Sequence, residues 1–239
     1  MAECLYCGES ETSTASWRTL LFPENSGLCR ECRSLFTPIQ EPVCKTCNRP
    51  VEHAGTCVDC ERWEADPCWR GILRRNVSLF PYNDAMKDWT ALWKYRGDAV
   101  LAESFRHRIR KLYLTYPAGA VPVPLPLSPQ RLQERGFNQA AILASFTAAA
   151  GFSLHRTPDP SDILLRSTHE EKQSKKSRAE RLSSTSRPFE LKGDKKDIEG
   201  KHFVLFDDIY TTGTTLRKAA LPLMENGAAD VCSITLIRG

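Results

Sequence analysis

Two stretches of the chain carry residue types and spacings that do chemistry. In "FVLFDDIYTTGTT", residues 203–215, four apolar residues lead into adjacent acids, Asp207 and Asp208. Two residues later come Thr211, Thr212, Gly213, Thr214 and Thr215. Backbone N–H groups and hydroxyls gathered at the start of a helix form a cradle for a phosphate, helped by the positive end of the helix dipole. Gly213 lets the backbone close round the anion with no Cβ in the way. The two carboxylates repel a phosphate and need another partner, which vicinal sugar hydroxyls or a Mg²⁺ held by those hydroxyls would supply. The implied ligand is a ribose phosphate. Acids and threonines also cap helices in proteins that bind nothing. The full ordered set behind a buried-strand pattern favours the ligand reading, provided that strand and helix surround it.

The second stretch is the first 60 residues. Eight of the ten cysteines form four C-x-x-C pairs, Cys4/Cys7, Cys29/Cys32, Cys44/Cys47 and Cys57/Cys60. Each pair aims two thiolates at one point, and two pairs complete the tetrahedron that Zn²⁺ prefers, with Zn–S near ~2.3 Å. Four pairs predict two structural zincs with no open position for catalysis. Few large apolar residues separate the pairs, so metal must replace a core that the segment cannot build. Sequential pairing, Cys4, Cys7, Cys29 and Cys32 round one ion and Cys44, Cys47, Cys57 and Cys60 round the other, closes the shorter loops. An interleaved set is the alternative, and His53 within the second loop could swap in as a ligand, although the favoured reading is a solvated loop histidine. Cys232 follows Val231 in an apolar run and reads as a small buried residue.

These residues need elements to position them. Phe203–Phe206 suits a strand buried on both faces, and Leu216, Ala219, Ala220 and Leu223 make the face of a following helix that Gly227 ends. Pro222 should kink that helix or limit its last turn. "VCSITLI" supplies a last strand. Upstream, "VSLFPYND" reads as a strand entering a helix capped by Asn83 or Asp84, with Ala85, Trp89, Leu92 and Trp93 on one face. A second helix through Leu101, Phe105, Ile109 and Leu112 carries Arg106, Arg108, Arg110 and Lys111 on a solvated face. Val121 and Val123 mark a strand whose alternating prolines bar it from the middle of a sheet. Gly136 allows a turn, and Asn138 caps an alanine-rich helix with Ala141, Ile142 and Phe146 as its apolar face. Residues 166–181, "RSTHEEKQSKKSRAER", hold six bases and almost nothing apolar, and read as a mobile surface loop.

Strands alternating with helices imply a mostly parallel α/β sheet. The division predicted is a double zinc ribbon over residues 1–65 and an α/β domain over 66–239. With 239 residues and a net charge of +4, the composition is that of an ordinary globular protein and does not by itself argue for nucleic acid. "MAECLYCGES" has no signal-peptide core, and no apolar run approaches the ~18 residues of a membrane span, so a cytoplasmic protein is expected.

"FVLFDDIYTTGTT" resembles the signature of type I phosphoribosyltransferases, in which the paired acids hold the ribose hydroxyls of phosphoribosyl pyrophosphate and the next loop holds its 5′-phosphate. Tyr210 departs from the usual aliphatic residue. The four C-x-x-C pairs, "KYRGD" at 94–98, "VPVPL" with "ERGFNQA", "KQSKKSRAER" and the final signature stand in the order found in the ComF family of late competence proteins. That resemblance covers nearly the whole chain. It implies a type I phosphoribosyltransferase-like fold behind a double zinc ribbon, and Mg²⁺ with phosphoribosyl pyrophosphate as ligand. It further implies the handling or transport of single-stranded DNA during natural transformation, beside a ComFA-like helicase, with peripheral association with the uptake machinery at the inner membrane.

Two functional readings follow. In one, the chain handles nucleic acid and its pocket takes a phosphorylated ribose, free or at a strand end. Trp89, Trp93 and Tyr95 are then candidates for base stacking if exposed, although the helical spacing of the tryptophans suits a core face. In the other, an active phosphoribosyltransferase displaces pyrophosphate with a nitrogen nucleophile. Arg131, Arg135, Lys172, Lys175, Lys176 and Arg178 are the candidate contacts to pyrophosphate or to DNA. Thr211 stands where many enzymes of the fold carry an acidic base, and no catalytic residue is assigned.

Overall fold

A computed structural model describes residues 2–11, 27–95, 97–148, 163–166 and 187–239. The cysteine-rich segment holds a two-stranded pair, β1 (Ala2–Glu3) and β2 (Ser10–Glu11), and two short helices, α1 (Arg30–Leu35) and α2 (Val58–Ala65). Then follow β3 (Arg75–Pro81), α3 (Asp84–Tyr95), a 3-10 turn (Ala99–Phe105) and α4 (Arg106–Tyr113). β4 (Val121–Pro124) leads to α5 (Pro129–Arg135) and α6 (Gln139–Ser145). β5 (Leu164–Arg166) and β6 (Phe189–Leu191) form an antiparallel pair, and β7 (His202–Tyr210), α7 (Thr214–Glu225) and β8 (Asp230–Arg238) complete the chain.

Four strands make a parallel sheet in the order β3-β8-β7-β4. The apolar run that opens β7 is buried on both faces as its composition requires. Phe203 and Leu205 point into one core with Leu216, Ala219, Ala220 and Leu223 of α7, while Val204 and Phe206 point into the other with Phe80, Trp89 and Trp93. β4 lies at an edge, the only place where Pro122 and Pro124 can sit without breaking a ladder on both sides. Asn83 caps α3, its Oδ1 accepting from the N–H of Met86 at 2.9 Å. α7 carries Pro222 one turn before its end and stops at Glu225.

Several expectations change. Trp89 and Trp93 are 0% exposed and stack on each other with ring centroids 4.9 Å apart, so they are core and not a base-stacking platform. The side chain of Tyr95 lies outside the described residues. The buried face of α6 is Ala140, Leu143 and Ala144, with Phe146 just beyond its end; Ala141 and Ile142 are only half-buried. The helix starts after Asn138 as expected, with the Asn138 side chain as its cap, and packing against β7 and β4 decides which stripe faces inward. Of the bases on α4, Arg106 pairs with Glu103 and lies 4.4 Å over the Phe146 ring, and Arg110 donates to the Ala148 carbonyl at 2.6 Å. These arginines hold structure together as well as facing water.

The cysteine-rich segment packs on both faces of the sheet. Cys4 and Cys32 share a core with Phe36, Phe80 and Trp89, whereas Cys44, Cys47 and Cys60 share the opposite core with Val123, Leu205 and Leu216. It also covers the free edge of β3. Asn76 donates its N–H to the Thr46 carbonyl at 2.7 Å, and Ser78 donates to Asn48 Oδ1 at 2.9 Å. An edge strand left open invites pairing with another chain, and this docking closes it.

Candidate functional site

The carboxyl ends of β4 and β7 open onto a cavity of about 270 Å³. In a parallel sheet this is where ligands bind, because the loops that leave the strand ends gather there. Asp207, Asp208, Thr211, Thr212, Thr214 and Thr215 line it from the β7 side. Arg131 and Arg135 enter from α5, which Ser128 and Pro129 start: the Ser128 hydroxyl accepts from the Arg131 N–H at 3.4 Å. Eight of the expected site residues therefore meet in one place. Gly213 lies between the lining threonines, whereas Lys172, Lys175, Lys176 and Arg178 fall outside the described residues.

Of the nine lining residues outside the expected set, three bear on the charge and hydrogen bonding of the site. Lys94, on the last turn of α3, forms an ion pair with Asp208. The signal was there in the "KYRGD" motif, but nothing in the pattern along α3 says that its lysine faces an acid more than a hundred residues away. Arg166, the first residue of the basic stretch, lies not in a loop but at the end of β5, and residues 167–181 fall outside the described residues. Gln139 is buried at the start of α6, where its Oε1 accepts from Arg135 Nη1 at 2.9 Å.

The paired acids differ in protonation. Burial and the neighbouring carboxylate of Asp208 push Asp207 well above the ordinary carboxylate range. Burial would raise Asp208 too, but the Lys94 ammonium, with help from Arg135, holds it below that range. The pair thus shares one proton near neutrality, and the N–H of Asp208 donates to Asp207 Oδ1 at 2.8 Å. Asp208 is 8% exposed, so it is not the exposed turn carboxylate that a loop position suggests.

The close approach at Gly213 is to the protein rather than to the cavity, whose lining residues do not include it. Gly213 has φ +79°, and a Cβ there would collide with the Tyr210 hydroxyl and the Arg217 guanidinium. The hydroxyls of Thr212 and Thr214 lie 2.9 Å apart. Gly213→Ala combines left-handed strain with overpacking, and should lower stability by about 2–3 kcal/mol. Urea unfolding checks this, and a loss below about 0.5 kcal/mol would show that the loop relaxes freely.

The eight paired cysteines gather sequentially, as Cys4, Cys7, Cys29 and Cys32 and as Cys44, Cys47, Cys57 and Cys60, with the four sulfurs of each set within 4.8 Å of one another. Cys7 and Cys29 sulfurs lie 3.9 Å apart and those of Cys47 and Cys57 3.7 Å. A tetrahedron with Zn–S of about 2.3 Å has edges of roughly 3.8 Å, so both sets fit Zn²⁺. Backbone N–H groups point at the thiolates, Cys29 N to Cys4 Sγ and Cys57 N to Cys44 Sγ at 3.3 Å each, as in sites whose surroundings orient the ligands. His53 is exposed and outside the cluster.

Comparison with known proteins agrees with this plan. Residues 2–61 match the double zinc ribbon domain, and residues 161–239 match the phosphoribosyl transferase domain. The competence protein ComFC of Bacillus subtilis is 40% identical over 98% of this chain and 94% of its own length. The chain belongs to the ComF family. ComFC of Streptococcus pneumoniae is 36% identical over 99% of this chain and all of its own. The DNA utilization protein YhgH of Escherichia coli K12 is 27% identical over 86% of this chain and 87% of that protein. In this ComF chain, no helix among the described residues is long and apolar enough to cross a membrane.

Proposed function

We propose that the cavity binds a phosphorylated ribose and that the protein uses it in handling single-stranded DNA during natural transformation. The observation that carries the reading is the charge layout of one cavity. An unequally protonated acid pair, suited to ribose hydroxyls and to a Mg²⁺ on them, shares the cavity with a threonine loop at a helix N-terminus and with Arg131, Arg135 and Arg166. That layout complements phosphoribosyl pyrophosphate, which presents hydroxyls between a phosphate and a pyrophosphate. A strand end bearing a 5′-phosphate presents part of the same chemistry. Competence and DNA utilization in the names of the relatives support the DNA role. A ComFA-like helicase as partner, at the cytoplasmic side of the inner membrane, belongs to the proposal on the family resemblance alone. Thr211 takes the place at which the resemblance puts an acidic base, so binding is better supported than turnover.

Retention of a fluorescent single strand by the zinc-loaded protein tests the DNA role. Binding should fall steeply as salt rises from about 50 to 200 mM, because phosphate contacts release counterions. A 5′-phosphorylated strand should be displaced by phosphoribosyl pyrophosphate with Mg²⁺. Salt-independent binding, or no binding at low salt, would remove the DNA half of the proposal.

A further inference from the structure

Three buried side chains outside the ribose-phosphate reading connect the second cysteine cluster to the threonine loop. Trp63 follows the ligand Cys60 by one helical turn and donates its indole N–H to the Thr212 carbonyl at 3.0 Å. Arg238, in β8, donates Nη1 to the carbonyls of Tyr210 and Thr211 at 3.1 and 3.0 Å, and its Nη2 lies 3.5 Å from Cys47 Sγ. Arg217, in α7, stacks 4.6 Å from the centre of the Trp63 ring and donates Nη1 to the Tyr210 hydroxyl at 2.9 Å.

Both arginines are almost fully buried, and several of their N–H groups, Arg217 Nε and Nη2 and Arg238 Nε, have no hydrogen-bond partner among the described residues. A buried guanidinium without an anion is strongly unfavourable. For Arg238 the anion alongside is the cluster itself, since four thiolates round one Zn²⁺ carry net negative charge, whereas Arg217 meets the ribbon through the face of the Trp63 ring. The geometry also says what the arginines and the tryptophan do for the loop. In a trans peptide the carbonyl and the following N–H point opposite ways. Arg238 from β8 holds the carbonyls of Tyr210 and Thr211 and Trp63 from the ribbon holds that of Thr212, which fixes the peptide planes, and with them the N–H directions of residues 211–213, in the loop whose Thr211 and Thr212 line the cavity.

We infer that Trp63, Arg217 and Arg238 are positioning residues through which metal in the second cluster sets the affinity of the threonine loop for phosphate. The inference rests on the ribose-phosphate reading. The first cluster supplies an internal control, since it packs on the opposite face of the sheet with Phe36 and Phe80. Because coupling between two binding sites is reciprocal, ligand in the cavity must tighten metal in the second cluster by the factor by which metal tightens ligand.

The test measures zinc release to a chromogenic chelator from the full chain, with and without saturating phosphoribosyl pyrophosphate and Mg²⁺, and ligand affinity by calorimetry. In the unaltered protein at equilibrium with the chelator, ligand should tighten one of the two zincs about tenfold and leave the other unchanged. Trp63→Phe keeps the ring over Arg217 and loses only the N–H. It should retain two zincs and bind ligand about tenfold more weakly, with ligand no longer protecting the second zinc. Cys7→Ser should lose one zinc and keep ligand affinity within about twofold. Ligand binding with no effect on either zinc, or with equal protection of both, overturns the coupling while leaving the ribose-phosphate reading intact. Absence of binding to the unaltered, zinc-loaded protein overturns both.

Discussion

Replacing Lys94 with methionine should destabilise the folded chain by about 3–5 kcal/mol at pH 7, the amount expected when one partner of a buried ion pair is removed. Lys94 and Asp208 are nearly covered, their side chains 13% and 12% exposed. Methionine preserves the stem that packs along α3 but takes away the cation that holds Asp208 ionised. The sign of the pH dependence follows. Because the folded value for Asp208 is depressed, the pair contributes stability above the ordinary carboxylate range and loses it as the pH falls through the folded value. In the variant, burial is opposed only by the more weakly acting Asp207 hydrogen bond and Arg135, so Asp208 rises and stability should instead increase as the pH is lowered toward 5. Urea unfolding between pH 5 and 8 reads both effects. A loss below about 1 kcal/mol with unchanged pH dependence would mean that the ion pair does not form in solution.

Asp207→Asn should act in opposite directions on stability and on binding. Burial and the charge of Asp208 raise Asp207 to about 8. A raised acid contributes fully below its unfolded value near 3.8 and loses that contribution as the pH rises through about 8, because the unfolded chain gives up its proton first. Asparagine stays neutral throughout and has no such loss. The variant should therefore gain on the unaltered protein as the pH rises, by more than about 1 kcal/mol at pH 8.5, since each tenfold change in proton affinity is worth about 1.4 kcal/mol. Ligand binding should fall at least about 100-fold, since a cation on the ribose hydroxyls can displace the proton of Asp207 and gain a second carboxylate, whereas an amide has no such proton to give up. Such a trade between stability and function is expected where like charges are crowded for a ligand. A variant that is less stable at high pH, or one that binds equally well, would contradict this account of the acid pair.

The features legible in the sequence were those carried by neighbours along the chain. The apolar run of β7, the acids and threonines after it and the cysteine spacing each need only a short stretch. So does the edge position of β4, which its alternating prolines betray. Long-range partners were not legible. Lys94 is read as one more charge on an amphipathic helix until the fold sets it against Asp208. Asp208 itself looks like an exposed turn acid. Arg217 and Lys218 sit in a helix whose apolar face is legible, yet both are buried, Arg217 against Trp63 of the ribbon. Trp63 lies within the expected ribbon and Arg238 at the far end of the chain, so no local pattern brings them to the same loop.

The central claim is that the cavity between β4 and β7 is a ribose-phosphate site, and calorimetric titration with phosphoribosyl pyrophosphate and Mg²⁺ at about pH 7.5 tests it most directly. The zinc-loaded chain should bind with one site per molecule, and Asp207→Asn, folded and at least as stable, should show no measurable heat. No binding by the unaltered chain, or equal binding by the two proteins, would contradict the claim.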